Sequence, residues 1–200
     1  MTKRAWPLTI VMASTALLVG CATTSVGAEN TIAPGMSSPS TSASPLPKPT
    51  STGGSAAGPS AASQMICGTE TSDNITRALA LATPPYSVDN WINRQYTCTY
   101  HLTDGEFVIS VEESPDTTSA RNYFDTMQRK LAPTQPIEGL ANLGFPAYES
   151  ADGLVVFLKD NMTLQVDARQ LTDKIGPHDV TRTAFSYEIA TTILACWTEH

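Results

Sequence analysis

Residues 95–113 read QYTCTYHLTDGEFVISVEE. Tyr96, Cys98, Tyr100 and Leu102 alternate with Gln95, Thr97, Thr99 and His101, the period of a strand with one buried face. Asp104-Gly105 is a hairpin turn signal. Phe107 to Glu113 then returns, with Phe107, Ile109 and Val111 facing inward. A turn this short joins antiparallel neighbours, so the hairpin commits the chain to an antiparallel sheet.

Reading outward, Ser114-Pro115 opens a helix, with proline at the first position where its missing N–H does no harm. Ala120, Tyr123, Phe124, Met127 and Leu131 follow helical spacing, and Pro133 ends it. Residues 134–144 form a Gly/Pro-containing loop. Strands are expected over about 145–150, 154–159 and 162–168, joined by turns at Asp152-Gly153 and Asp160-Asn161. A last helix is expected from about Asp179 to Trp197. Upstream, Ser72-Asp73 is expected to cap a helix over about 73–82, with Ile75, Ala78, Leu79 and Ala82 on one face and Pro84-Pro85 as the stop. The simplest packing is an α+β domain: an antiparallel sheet of about five strands with helices on one face, in the order α-β-β-α-β-β-β-α.

The 200 residues divide unevenly. Residues 1–64 hold one aromatic residue, Trp6, and residues 65–200 hold the other thirteen. Residues 1–20 are laid out as a secretory signal: Lys3 and Arg4, then an apolar run from Leu8 to Val19 that is short for a membrane span. In residues 22–64, Ser, Thr, Pro, Gly and Ala supply 35 of 43 positions, the composition of a disordered tether. Such a tether reaches roughly 35–40 Å and keeps the domain off a membrane. Residues 65–200 are expected to be the globular domain. The formal net charge is −7, and loss of Lys3 and Arg4 with the leader takes it to −9. Nucleic-acid binding needs a basic footprint, and the longest basic run here is Arg129-Lys130, so that class is excluded.

The leader ends Leu18-Val19-Gly20-Cys21. This resembles the lipobox of bacterial lipoproteins. The resemblance implies that Cys21 receives a diacylglycerol and becomes the mature N-terminus. It further implies an exported chain, anchored by lipid on the outer side of the cell membrane. The Ser/Thr-Pro tether is similar to the O-mannosylated segments of actinobacterial lipoproteins, with a bare spacer as the equal alternative. An exported compartment permits disulfides. Cys67, Cys98 and Cys196 then allow one bridge, with Cys67–Cys98 set ahead of Cys67–Cys196 and Cys98–Cys196.

Catalytic and metal signatures are absent from the sequence: no GxSxG, HExxH, P-loop, GxGxxG or CxxC occurs. His101, His178 and His200 read as surface or structural residues, and Asp104, Glu106, Glu112 and Glu113 as solvated strand faces. No cofactor and no metal site is expected. Tyr86, Trp91 and Trp197 are the candidate ligand-facing aromatics, since rings with one wet edge line binding clefts.

Several short pieces recur together in one setting. They are the cysteine before the first helix, Tyr96-Thr97-Cys98-Thr99-Tyr100, Ala141-Asn142-Leu143-Gly144, Val166-Asp167 and Ala195-Cys196-Trp197. With them, residues 65–200 resemble small actinobacterial envelope lipoprotein domains. That resemblance implies a compact α/β domain in the envelope and carries no activity. The leading expectation is a non-enzymatic module that binds an envelope protein, a polysaccharide or a lipid ligand near the membrane. A lipid or glycolipid carrier with an internal cavity, and an enzyme with an unrecognised site, are the alternatives.

Overall fold

The computed structural model describes residues 58–131 and 133–197. The leader, Cys21, most of the tether and His200 lie outside them. The chain forms α1 (Ala61–Gln64), a 3-10 turn (Met65–Cys67), α2 (Thr69–Ala78), β1 (Tyr86–Ile92), β2 (Gln95–Leu102) and β3 (Gly105–Glu113). It continues through α3 (Thr117–Lys130), β4 (Gln135–Pro136), a 3-10 turn (Gly139–Asn142), β5 (Ala147–Glu149), β6 (Leu154–Lys159) and β7 (Met162–Asp167). A small hairpin, β8 (Lys174–Ile175) and β9 (Val180–Thr181), leads into α4 (Arg182–Cys196). The fold is α+β. Seven antiparallel strands run in the order β1-β2-β3-β7-β6-β5-β4, and three helices have ten residues or more.

The sheet has seven strands rather than about five because an extra strand joins each edge. Residues 86–92 pair with β2 from Tyr86↔His101 to Ile92↔Gln95. The turn between them is Asn93-Arg94, both residues at positive φ (52° and 67°), the twist that a two-residue hairpin needs. At the opposite edge, Gln135 and Pro136 pair with Glu149 and Tyr148.

Helices also cover both faces rather than one. Cys98, Tyr100, Phe107, Ile109, Leu164 and Phe157 face α2 and α4, in one core with Ile75, Phe185 and Ile189. Ala120 and Phe124 of α3 pack on the other face, against Tyr148, Leu154, Val156 and Leu158. Strand β6 therefore lies between two layers, and all six of its residues are buried. A strand covered on both sides has no polar face to show, which is why its sequence is a continuous apolar run from Leu154 to Leu158 before Lys159.

Helix ends differ from the expected ones for local reasons. The first long helix starts at Thr69, with Gly68 as its N-cap, and not at Ser72-Asp73. It stops at Leu79, before Ala80 turns to positive φ. Asp116 caps α3 by accepting from the Ser119 N–H at 2.7 Å, so Pro115 precedes the cap. Those hydrogen bonds hold the Asp116 carboxyl below its usual value. Thr181 caps α4 by accepting from Ala184 N–H. Gly105 has φ +134°, and a Cβ there would lie 2.3 Å from the Gln170 carbonyl oxygen, so the hairpin turn admits glycine alone.

The folded unit takes in residues before 65. Ala62 and Ser63 are buried, and Glu113 accepts from both Ser60 N–H and Ser63 Oγ. Cys67 and Cys98 form a disulfide across 31 residues, clamping this entering segment to the middle of β2. Closing a loop of that length contributes about 3–4 kcal/mol by restricting the unfolded chain. Reduction is expected to lower the thermal midpoint by roughly 10 °C for a domain of this size. Melting with and without a thiol reductant checks it; an unchanged midpoint would refute the clamp.

Buried phenols set the alkaline limit of stability. Burial raises Tyr100 and Tyr148, and burial beside the Asp89 carboxylate raises Tyr96. Each contributes stability that is present below about pH 10, the value of an unfolded tyrosine, and lost as pH rises through the folded values. Absorbance at 295 nm is expected to show these groups ionising late and together with unfolding. Early, unfolding-free titration of all six tyrosines would contradict the burial.

Candidate functional site

The second face of the sheet is covered unequally. Helix α3 packs over its β5–β6–β7 side, while among the described residues no helix packs on the same face of β1 and β2. On β1 that face carries Tyr86, Val88, Asn90 and Ile92, with Tyr86 70%, Val88 46% and Ile92 56% exposed. Opposite them on β2 stand His101, Thr99, Thr97 and Gln95. Scattered exposed apolar residues need no explanation, but three of the four residues on one face of an edge strand form a patch, interrupted at Asn90.

The backbone of β1 is also open. A two-residue turn closes on a hydrogen-bonded pair, here Ile92–Gln95. Bonded pairs then recur at every second residue, so Tyr86, Val88, Asn90 and Ile92 direct their N–H and C=O groups to β2. Ser87, Asp89 and Trp91 direct theirs away from the sheet. The opposite edge is blunted by its two-residue length and Pro136.

At the head of β1, the Tyr86 ring stacks on His101 at 5.5 Å and 20°. His101 Nδ1 lies 3.6 Å from Glu106 Oε1. This aromatic pair forms the rim of an open cleft of about 460 Å³ with Pro84, Pro85, Leu102 and Thr103. A second, more apolar cleft of about 260 Å³ shares Leu81, Leu102 and Thr103 with it and reaches Leu171 and Ile175.

The sequence-derived candidates separate here. Tyr86 is on the open face. Trp91 lies on the other face, half-buried against the main core, and makes no side-chain hydrogen bond among the described residues. Trp197 is in the core, 4% exposed, with its indole N–H donating to the Ala62 carbonyl at 3.1 Å. It pins the end of α4 to the entering segment, so it faces protein and no cleft. Cys67 and Cys98 are the bridged pair. Cys196 Sγ donates to Glu70 Oε1 at 3.2 Å beside a shallow cleft of about 230 Å³.

The acidic residues are mostly engaged in structure. Glu112 accepts from Ser114 Oγ, Glu113 anchors Ser60 and Ser63, and Asp167 holds Arg169 at 2.7 Å. His178 is exposed in the loop before β9. Among the described residues no three His, Cys, Asp or Glu side chains converge as a metal site, and no helix is long and apolar enough to cross a membrane. Val88 and Ile92 were missed as site residues by sequence reasoning. Their signal was the alternation of Tyr86, Val88 and Ile92 ahead of Asn93. No protein family, curated protein or solved structure matches this chain.

Proposed function

We propose that the protein is an exported lipoprotein, held to the outer side of the cell membrane through lipid on Cys21, whose domain binds an envelope protein through the open face and edge of β1 without catalysis. The observation that supports it is the row Tyr86, Val88 and Ile92, exposed beside an unpaired strand edge. Strand addition to such an edge gives affinity through main-chain hydrogen bonds and specificity through alternate side chains. The leader's lipobox and the Ser/Thr/Pro tether support the placement.

The other readings draw less support. A carrier needs room between sheet and helices, and there Phe107, Phe157, Leu164, Phe185 and Ile189 are packed together and fully buried. An enzyme would gain support from a nucleophile beside His101, which instead stacks on the Tyr86 ring and approaches the Glu106 carboxylate.

The test is a photo-crosslinking residue at Val88 in the native envelope, against one at Thr118 on α3. Specific adducts are expected from Val88. The double variant Val88→Lys/Ile92→Lys is expected to weaken capture by at least about tenfold, since hot-spot side chains carry 1–2 kcal/mol or more each. Both side chains point to solvent, so the melting midpoint should hold. Capture equal to wild type would sink the assignment.

A further inference from the structure

We infer that the edge of β1 pairs with β1 of a second copy of this chain about a two-fold axis at Asn90, joining two seven-stranded sheets into one. This rests on the partner-binding reading above and names the partner.

The inference follows from register. A two-fold axis through the sheet keeps each face on its own side, so opposed residues must belong to the same face of β1. The seven residues of β1 then allow three well-overlapped registers, centred on Val88, Asp89 or Asn90. Centring on Asp89 sets one carboxylate against its copy, and like charges directly opposite are destabilising. Centring on Val88 sets Asp89 against Ser87, Tyr86 against Asn90, Trp91 against Pro85 and Ile92 against Pro84, so the two prolines that precede β1 take the place of strand residues. Centring on Asn90 sets Val88 against Ile92 twice, so two of the three apolar side chains that β1 exposes are covered by their counterparts. In the same register Asp89 opposes Trp91, which places an acceptor near an indole N–H that makes no hydrogen bond among the described residues. Ser87, Asp89 and Trp91, which direct their N–H and C=O groups outward, are the residues that such a pair engages.

The strength follows from the size. In the Asn90-centred register only residues 88–92 oppose their copies, and so short an edge is expected to fall below the roughly 1,200 Å² at which stable interfaces begin. Association is therefore weak in dilute solution and sensitive to concentration. Two copies tethered to one membrane meet at a far higher effective concentration, which is where pairing would operate.

Three single substitutions read the register directly. In an Asn90-centred pair the two Asn90 residues face each other at a non-hydrogen-bonded position, with Cα atoms about 4.5 Å apart, inside the range a disulfide spans. Val88→Cys, Asp89→Cys and Asn90→Cys are made in the full chain carrying Cys21→Ser and Cys196→Ser, and oxidised at increasing concentration. The expected result is a covalent dimer from Asn90→Cys well ahead of the other two. Sedimentation of the parent chain should shift toward twice the monomer mass as concentration rises, and Val88→Lys/Ile92→Lys should abolish the shift. A monomer at every concentration, or faster linking from Val88→Cys or Asp89→Cys, overturns the proposed pair. If the pair fails while Val88→Lys/Ile92→Lys still removes the envelope adducts, the face binds a different protein and only the self-pairing is lost. If the adducts persist as well, both readings fall.

Discussion

Phe107→Ala is expected to destabilise the domain by about 3–5 kcal/mol, the cost of truncating a fully buried aromatic ring. Phe107 lies at the start of the hairpin's second strand and is 0% exposed. Its ring centroid is 4.7 Å from Phe185 of α4 and 6.4 Å from Tyr100 of β2. The ring therefore joins sheet and helix at one point, and three elements would have to move to fill the space. Two restraints oppose that collapse: the Cys67–Cys98 bridge holds β2, and the Ser186 hydroxyl donates to the Gly153 carbonyl at 2.8 Å, holding α4. Against a total stability of about 5–15 kcal/mol, the loss is large, and the thermal midpoint is expected to fall by roughly 10–15 °C. Val108→Ala, the neighbour on the opposite and less covered face, is the control and should cost about 1 kcal/mol or less. Urea unfolding of both variants, with unchanged slope, is the measurement. Equal losses would mean that α4 does not rest on the Phe107 face.

The hairpin at residues 95–113 was legible because one polar and one apolar face alternate and Asp104-Gly105 marks the turn. Strand β1 was not legible by the same rule. Its covered side carries Ser87, Asp89 and Trp91, and its open side carries Tyr86, Val88, Asn90 and Ile92, so neither face is cleanly apolar. Its turn has Asn93 but Arg94 where glycine would make the signal strong. The two-sided layering was readable in principle from Leu154 to Leu158, five apolar residues with no polar alternate. Helix α2 was displaced because its start depends on Gly68 and the chain direction set by the Cys67 bridge, while Ser72-Asp73 offers only a local cap signal. Of the candidate site, Tyr86 was found as an aromatic beside prolines. Val88 and Ile92 became visible only once α3 was placed on β5–β6–β7, leaving the β1 side of that face open. Where a helix lands on a sheet is decided by long-range packing, and no local period encodes it.

If the proposed lipid anchor holds the protein, Cys21→Ser is expected to move it from the membrane fraction to the soluble one. On the lipoprotein reading, the anchor is a diacyl chain pair on the Cys21 sulfur, and each buried methylene contributes about 0.8 kcal/mol, so two chains hold firmly where one does not. Among the described residues no helix is long and apolar enough to cross a membrane. The chain is acidic, at −7 and on the same reading −9 without its leader, and Arg129-Lys130 is its longest basic run, so attraction to anionic lipids is weak. Serine keeps the size of the side chain and removes the sulfur nucleophile. An unprocessed leader would still carry the apolar run Leu8 to Val19, so the variant needs an ordinary cleavable secretory leader for a fair comparison. The domain itself should be unaffected, because its bridge joins Cys67 and Cys98. Intact mass of the native form should show acyl increments that the variant lacks. A variant that still sediments with membranes, with its leader removed, would place the anchor elsewhere. A variant that is released and also loses its Val88 adducts would show that the weak β1 contact depends on confinement at the membrane, as an edge below the size of a stable interface requires.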